Sequence, residues 1–92
     1  MELLEENGGG LFYIRLAEGV QSSLRFKVEG MTMVIEAVFT PEEFRGRRLA
    51  AKLMDEAVKH AEKHGYRVLP KCSYAEYYFK KHPEKRRVCL EP

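Results

Sequence analysis

The chain changes its hydrophobic period once, near Thr40-Pro41, and that change limits the folds open to it. Before it, apolar residues follow strand spacing. Leu11 to Leu16 is rich in aromatic and β-branched residues, and Leu24, Phe26 and Val28 alternate with Arg25 and Lys27. "MTMVIEAVF" (31–39) is nearly continuously apolar. Alternation marks a half-buried strand, and a continuous run marks one covered on both faces. After the change, Leu49, Ala50, Leu53, Met54, Ala57, Val58 and Ala61 fall on a single helical stripe. "AEGVQSS" and Glu29-Gly30 offer turn chemistry, so the strand half predicts an antiparallel three-stranded meander. Residues 1–10, ending in "ENGGG", show no apolar period and are expected as a flexible lead-in.

The helical half carries its own punctuation. In "TPEE", Thr40 suits a cap, Pro41 a first helical position and Glu43 the return bond of a capping box. Gly46 follows so soon that a short turn is expected, then the main helix from about Gly46. Gly65 ends it, with His60, Lys63 and His64 near its negative end. The two histidines are one turn apart, a spacing that suits metal, but with no acidic or cysteine partner in sequence reach they read as a cationic last turn. "YRVLP" (66–70) reads as a short buried strand, and strand-helix-strand order favours parallel pairing with a right-handed crossover. Ser73 and Glu76 form a second capping box, opening a helix that runs to about Lys81, before His82-Pro83. "RRVCLEP" reads as a last short strand or a tail. The result is an α+β fold, a meander plus β-α-β-α with the helices packed on a mixed, mostly antiparallel sheet. At 92 residues, with no repeat or linker, residues 1–92 make a single domain.

Composition narrows the function classes. With 45% hydrophobic and 33% charged residues, the chain has the balance of a folded domain. No apolar run approaches the roughly 20 residues that span a bilayer. "MELLEENGGG" is acidic where a secretory signal is basic, so a cytoplasmic location is expected. Cys72 and Cys89 are too few for a disulfide framework and read as free thiols. A net charge of +2 is too small to argue for nucleic acid.

Local charge is more informative. Arg45, Arg47, Arg48 and Lys52 crowd the start of the main helix, where each cation costs about 0.3–1 kcal/mol against the helix dipole. A strand, a tight glycine-bearing loop and a helix N-terminus make an anion site, which such cations strengthen. The alternative is a solvated basic face with no ligand.

"RGRRLA" (45–50) after a long apolar strand resembles the [Q/R]-x-x-G-x-[G/A] motif of the Gcn5-related N-acetyltransferases. Arg45 and Ala50 match its ends, and Arg48 stands where the family has glycine. A wider resemblance over residues 12–84 is to the very small members of that superfamily. It rests on Pro41, Phe44, Arg45 and Gly46, then on Pro70, Cys72, Tyr74, Tyr78, His82 and Pro83. The resemblance implies a minimal acyl-CoA N-acyltransferase fold that binds acetyl-CoA. It implies that Arg45, Gly46, Arg47, Arg48, Leu49 and Ala50 wrap the pyrophosphate. The backbone of Glu36, Ala37, Val38 and Phe39 would pair with the pantetheine arm. The helices that usually build the acceptor site are missing, and Ala37, Val38 and Phe39 stand where a His-Thr-Glu-like patch is frequent.

Two side chains suit catalysis. Cys72, past the fourth strand and beside a helix N-terminus, is a candidate nucleophile or a small buried hydrophobe. Tyr78 lies near where related enzymes place the tyrosine that protonates the leaving thiolate, amid Tyr74, Tyr77 and Phe79, most of which must be core. His82, ten residues from Cys72, is about 15 Å away along a helix and reads as a helix-end cap. "FKKHPEKRR" (79–87) reads as a solvated end or as a contact for the cofactor's 3′-phosphate or an acidic partner. The expected function is acetyl transfer from acetyl-CoA to a small or peptidic amine, with Cys72 as the candidate carrier. The alternatives are a non-catalytic acyl-CoA-binding module and a small basic RNA-binding domain. Nucleic acid is disfavoured because the strands lack a stacking set of aromatics. No metal or membrane partner is expected, and a homodimer would cover the sheet edge and the open acceptor face.

Overall fold

A computed structural model describes residues 1–90. Five strands form one sheet in the order β1 (Glu2–Glu6), β2 (Gly9–Ala17), β3 (Val20–Glu29), β4 (Thr32–Phe39) and β5 (Arg67–Pro70). The first four pair antiparallel, and β5 runs parallel to β4 after the crossover helix α1 (Leu49–His64). Helix α2 (Ser73–Lys81) and a 3-10 helix (Pro83–Val88) follow. The mixed sheet with helices is the α+β arrangement expected from the change of period.

The meander has four strands. Residues 2–6, expected within a flexible lead-in, form β1 and pair along β2 from Glu2↔Tyr13 to Glu6↔Gly9. Asn7-Gly8 closes this hairpin, with Gly8 at φ 78°, a backbone region open to glycine. Leu3 packs against the core, and Glu2 holds the Tyr13 hydroxyl at 3.0 Å and the Arg15 Nε at 3.1 Å. The glycines of β2 are sites of close approach. A Cβ on Gly9 would lie 2.5 Å from the Phe26 carbonyl oxygen, and one on Gly10 2.7 Å from that of Leu4.

One sheet face buries Phe12, Leu24, Phe26, Met33 and Ile35 against Leu53, Met54, Ala57, Val58 and Ala61 of α1. Ala75, Tyr78 and Phe79 of α2 join the same cluster, so both helices share one core. Burying each large side chain contributes about 1.5–3 kcal/mol, which is what holds the helices to the sheet.

Helix ends depart from the capping boxes. Thr40 caps nothing; its hydroxyl lies 2.8 Å from that of fully buried Ser22, which also donates to the Phe39 carbonyl. Residues Glu42–Phe44 make a single 3-10 turn, too short for a reciprocal box, and α1 starts at Leu49, three residues past Gly46. On α2 the cap moves one residue back. Cys72 is the N-cap and its sulfur accepts from the Ala75 N–H at 3.4 Å, leaving Ser73 inside the helix. Gly65 ends α1 as expected, in the left-handed conformation. In "RRVCLEP", residues 86–88 close the 3-10 helix and Cys89 makes an isolated bridge to Val68, while residues 91 and 92 lie outside the described part.

Candidate functional site

β4 and β5 part company halfway. They pair from Thr32↔Arg67 to Ile35↔Pro70, and a last bond joins the Lys71 N–H to the Ile35 carbonyl at 3.0 Å. The chain then turns into α2, so among the described residues no backbone bond crosses from 36–39 to that side. A bulge falls at the same place. Arg25 pairs with Ala37 but Phe26 with Ile35, which leaves Glu36 as the extra residue. Bulges bend a strand and re-aim the side chains beyond them.

The split opens into a cleft of about 500 Å³. Val38, Phe39 and Thr40 form one wall, Phe44, Arg45, Gly46 and Arg48 to Ala51 the second, and Tyr74, Tyr77, Tyr78, Lys81 and His82 the third. Of the ten sequence-chosen cofactor residues, Val38, Phe39, Arg45, Gly46, Arg48, Leu49 and Ala50 meet here. Glu36, Ala37 and Arg47 do not line it. The Glu36 carboxylate turns to the sheet's open face, 3.9 Å from both Arg25 Nε and Lys27 Nζ. The Arg47 guanidinium stacks over the Phe44 ring at 5.0 Å.

The second wall is electropositive by construction. The first turn of α1 holds no acidic residue, so its free N–H groups meet no carboxylate of their own helix. Arg45 donates from Nε to the Thr40 carbonyl at 3.2 Å, bracing the loop. Among the described residues Arg47, Arg48 and Lys52 make no ion pair. Helix dipole and unpaired cations add here, so this end of the cleft suits a multiply charged anion.

The candidate catalytic residues separate. Tyr78 lines the cleft but its ring is buried, and its hydroxyl donates to Asp55 Oδ1 on α1 at 2.5 Å. Burial, and then the Asp55 bond, push the phenol well above its ordinary range. Tyr74 is pushed up too, mainly by burial, against the opposing charge of Arg48. Cys72 does not line the cleft and is half-buried at its capping post. Sequence reasoning gave His82 only a helix-end role. Its backbone does close α2, its N–H bonding the Tyr78 carbonyl at 2.9 Å, but the residue also lines the cleft. Its ring lies 4.7 Å from the ring of Tyr78, with Nδ1 3.6 Å from the Glu84 carboxylate. The signal was in "HPE": a helix-ending His followed two residues later by a carboxylate.

A mixed sheet that splits at β4, with a glycine-bearing loop and a helix N-terminus facing the split, is the fold of an acyltransferase-type α+β domain. The chain belongs to the GCN5-related N-acetyltransferase family, whose model matches residues 11–88. The solution structure of a GCN5-like putative N-acetyltransferase from Staphylococcus aureus superposes with a TM-score of 0.75 at 21% identity, covering 99% of this chain and 89% of that one. No curated protein matches the chain.

Proposed function

We propose that the protein binds acetyl-CoA in the cleft and transfers the acetyl group to a small or peptidic amine. The observation that carries this reading is the meeting of the unpaired edge of β4 with a cationic helix N-terminus free of carboxylates. The residues fit coenzyme A by chemistry. Val38 and Phe39 offer extended backbone to an amide-bearing arm, and Arg45, Gly46 and Arg48 to Ala50 offer N–H groups and guanidinium to a pyrophosphate. When bound, acetyl-CoA supplies an acetyl group activated as a thioester.

The chain's own groups then have three tasks. The loop and first turn of α1 hold the phosphates. His82 accepts a proton from the acceptor amine, and Glu84 steadies the imidazolium that results. The amine nitrogen would displace the thiolate from the acetyl carbon, and the proton taken up by His82 would pass to that thiolate, which closes the balance. Tyr78 serves as donor only by leaving Asp55, and its raised pKa makes that transfer uphill. Tyr78 therefore fits better as a wall. Direct transfer suits the cleft better than a relay through Cys72, whose sulfur is engaged by Ala75.

A second reading, binding without catalysis, has one observation in its favour. Among the described residues lining the cleft, His82 is the only imidazole and there is no carboxylate. An assay of thiol release from acetyl-CoA across a panel of amines separates the two. Amine-dependent release, lost in His82→Gln with coenzyme A affinity retained, supports transfer. Binding without release across the panel supports the second reading. Mass spectrometry after incubation checks the carrier role: no acetyl adduct is expected on Cys72.

A further inference from the structure

The C-terminal end of α2 brings two side-chain pairs to the cleft, each one helical turn apart. Tyr78 and His82 form the first, with ring centroids 4.7 Å apart. Tyr77 and Lys81 form the second, with the lysine Nζ 5.9 Å from the centre of the phenol ring. Core packing and proton transfer account for the first pair. The fold does not account for the second. Tyr77 stays 52% exposed, whereas Tyr78 is 1% exposed. Lys81 is exposed and makes no ion pair among the described residues.

Lys81 stands apart from the other cations of the cleft. Arg45 and Arg48 belong to the α1 wall, which faces the phosphates in the reading above, while Lys81 belongs to the α2 wall and adjoins His82. His82 takes the acceptor's proton in that reading, so Lys81 lies at the acceptor's end. Among the described residues lining the cleft there is no carboxylate. An acceptor with a second ammonium therefore meets repulsion and no partner, whereas one with a carboxylate finds a charge-assisted donor in Lys81. The Tyr77 ring gives that lysine a face to rest on and the acceptor an apolar surface. A nearby cation also lowers the pKa of a bound ammonium, which favours the neutral, nucleophilic amine. We propose that Lys81 and Tyr77 form the recognition subsite for the acceptor, and that the acceptor is a small amine bearing a carboxylate, as an amino acid does. This rests on the transfer reading above.

The test follows thiol release from acetyl-CoA with glycine, leucine and phenylalanine, each beside its carboxamide and its decarboxylated amine, and with putrescine as a diamine. Each acceptor is compared between wild type and Lys81→Gln, which cancels the acceptors' different basicities. Lys81→Gln should raise KM for the amino acids roughly tenfold with kcat retained, because a charge-assisted contact is gone. The carboxamides and plain amines should change little, and calorimetry should give both proteins the same Kd for acetyl-CoA. Lys81→Glu should move the preference toward putrescine. A change in KM that is equal for all acceptors, or no change, would overturn the proposal, and so would a wild-type preference for putrescine over every amino acid. Weaker binding of acetyl-CoA by Lys81→Gln, absent with 3′-dephospho-coenzyme A, would assign Lys81 to the cofactor's 3′-phosphate and overturn it as well. Wild type that binds acetyl-CoA but releases no thiol with any of these amines would instead overturn the transfer reading, and this one with it.

Discussion

Removing the Tyr78 hydroxyl should loosen the joint between α1 and α2. The side chain is 1% exposed and its hydroxyl donates to Asp55 at 2.5 Å, with Lys85 Nζ 3.9 Å from the same oxygen. A hydrogen bond to a charged acceptor contributes about 1.5–3 kcal/mol. The Asp55 side chain is 48% exposed, so it recovers water when the donor goes, and the cost of Tyr78→Phe falls to about 1–1.5 kcal/mol. For a domain of this size each kcal/mol moves the melting temperature by about 4–8 °C. A fall of roughly 5–10 °C is therefore expected. Urea unfolding of wild type, Tyr78→Phe, Asp55→Ala and the double variant gives the coupling directly, expected near 1 kcal/mol. A coupling below about 0.3 kcal/mol would refute the reasoning, since ring packing alone would then hold Tyr78. The pH dependence supplies a second check. Because folding raises the Tyr78 pKa, its contribution is complete below the ordinary phenol value near 10 and is lost as pH climbs through the folded value. Wild type should lose stability steeply above about pH 10, and Tyr78→Phe should lose less.

Three further outcomes are expected from the packing. Gly9→Ala sets a Cβ 2.5 Å from the Phe26 carbonyl oxygen, a backbone atom that moves only with its strand; a loss of about 1–3 kcal/mol in urea unfolding is expected. Ser22→Ala removes the bonds to Phe39 and Thr40 at the end of β4, and should cost about 1–2 kcal/mol while raising hydrogen exchange in residues 39–41. His60 packs between Phe12 at 5.5 Å and Phe26 at 5.6 Å, and burial, then the neighbouring His64 charge, lower its pKa. A lowered pKa gives stability that is present above about pH 6.5 and lost as pH falls through the folded value. Acid unfolding should therefore begin earlier in wild type than in His60→Leu.

Much of this architecture was legible because hydrophobic period is local. The stripe from Leu49 to Ala61 and the alternation around Phe26 survive into the structure because each buries the face its spacing marks. The first strand was missed for a local reason too. Asn7-Gly8 is a strong hairpin signal, but "GGG" masked it: Gly9 and Gly10 are strand residues kept small by the Phe26 backbone and ring. Caps failed where tertiary partners competed. Thr40 spends its hydroxyl on Ser22, 18 residues away, and Cys72 takes the post that local spacing assigns to Ser73. The site was half visible. Residues 45–50 announce an anion site by charge and glycine, whereas the split that opens the cleft depends on a bulge at Glu36 and on where β5 stops. Neither has a sequence signature, and both decide that Glu36 faces Arg25 and Lys27, outside the cleft. Of the two catalytic candidates, Cys72 became a cap and Tyr78 a tether to Asp55, while His82 reached the cleft because α2 ends there.

The positive end of α1 is held to be electrostatically incomplete until phosphate groups reach it. Isothermal titration of the wild-type protein with acetyl-CoA at low salt tests this most directly. Saturable binding at one site, weakened by added salt, is the expected result. At a hundredfold excess over Kd, about 2.7 kcal/mol of added stability should accompany it. No heat and no change in melting temperature at millimolar acetyl-CoA would contradict it.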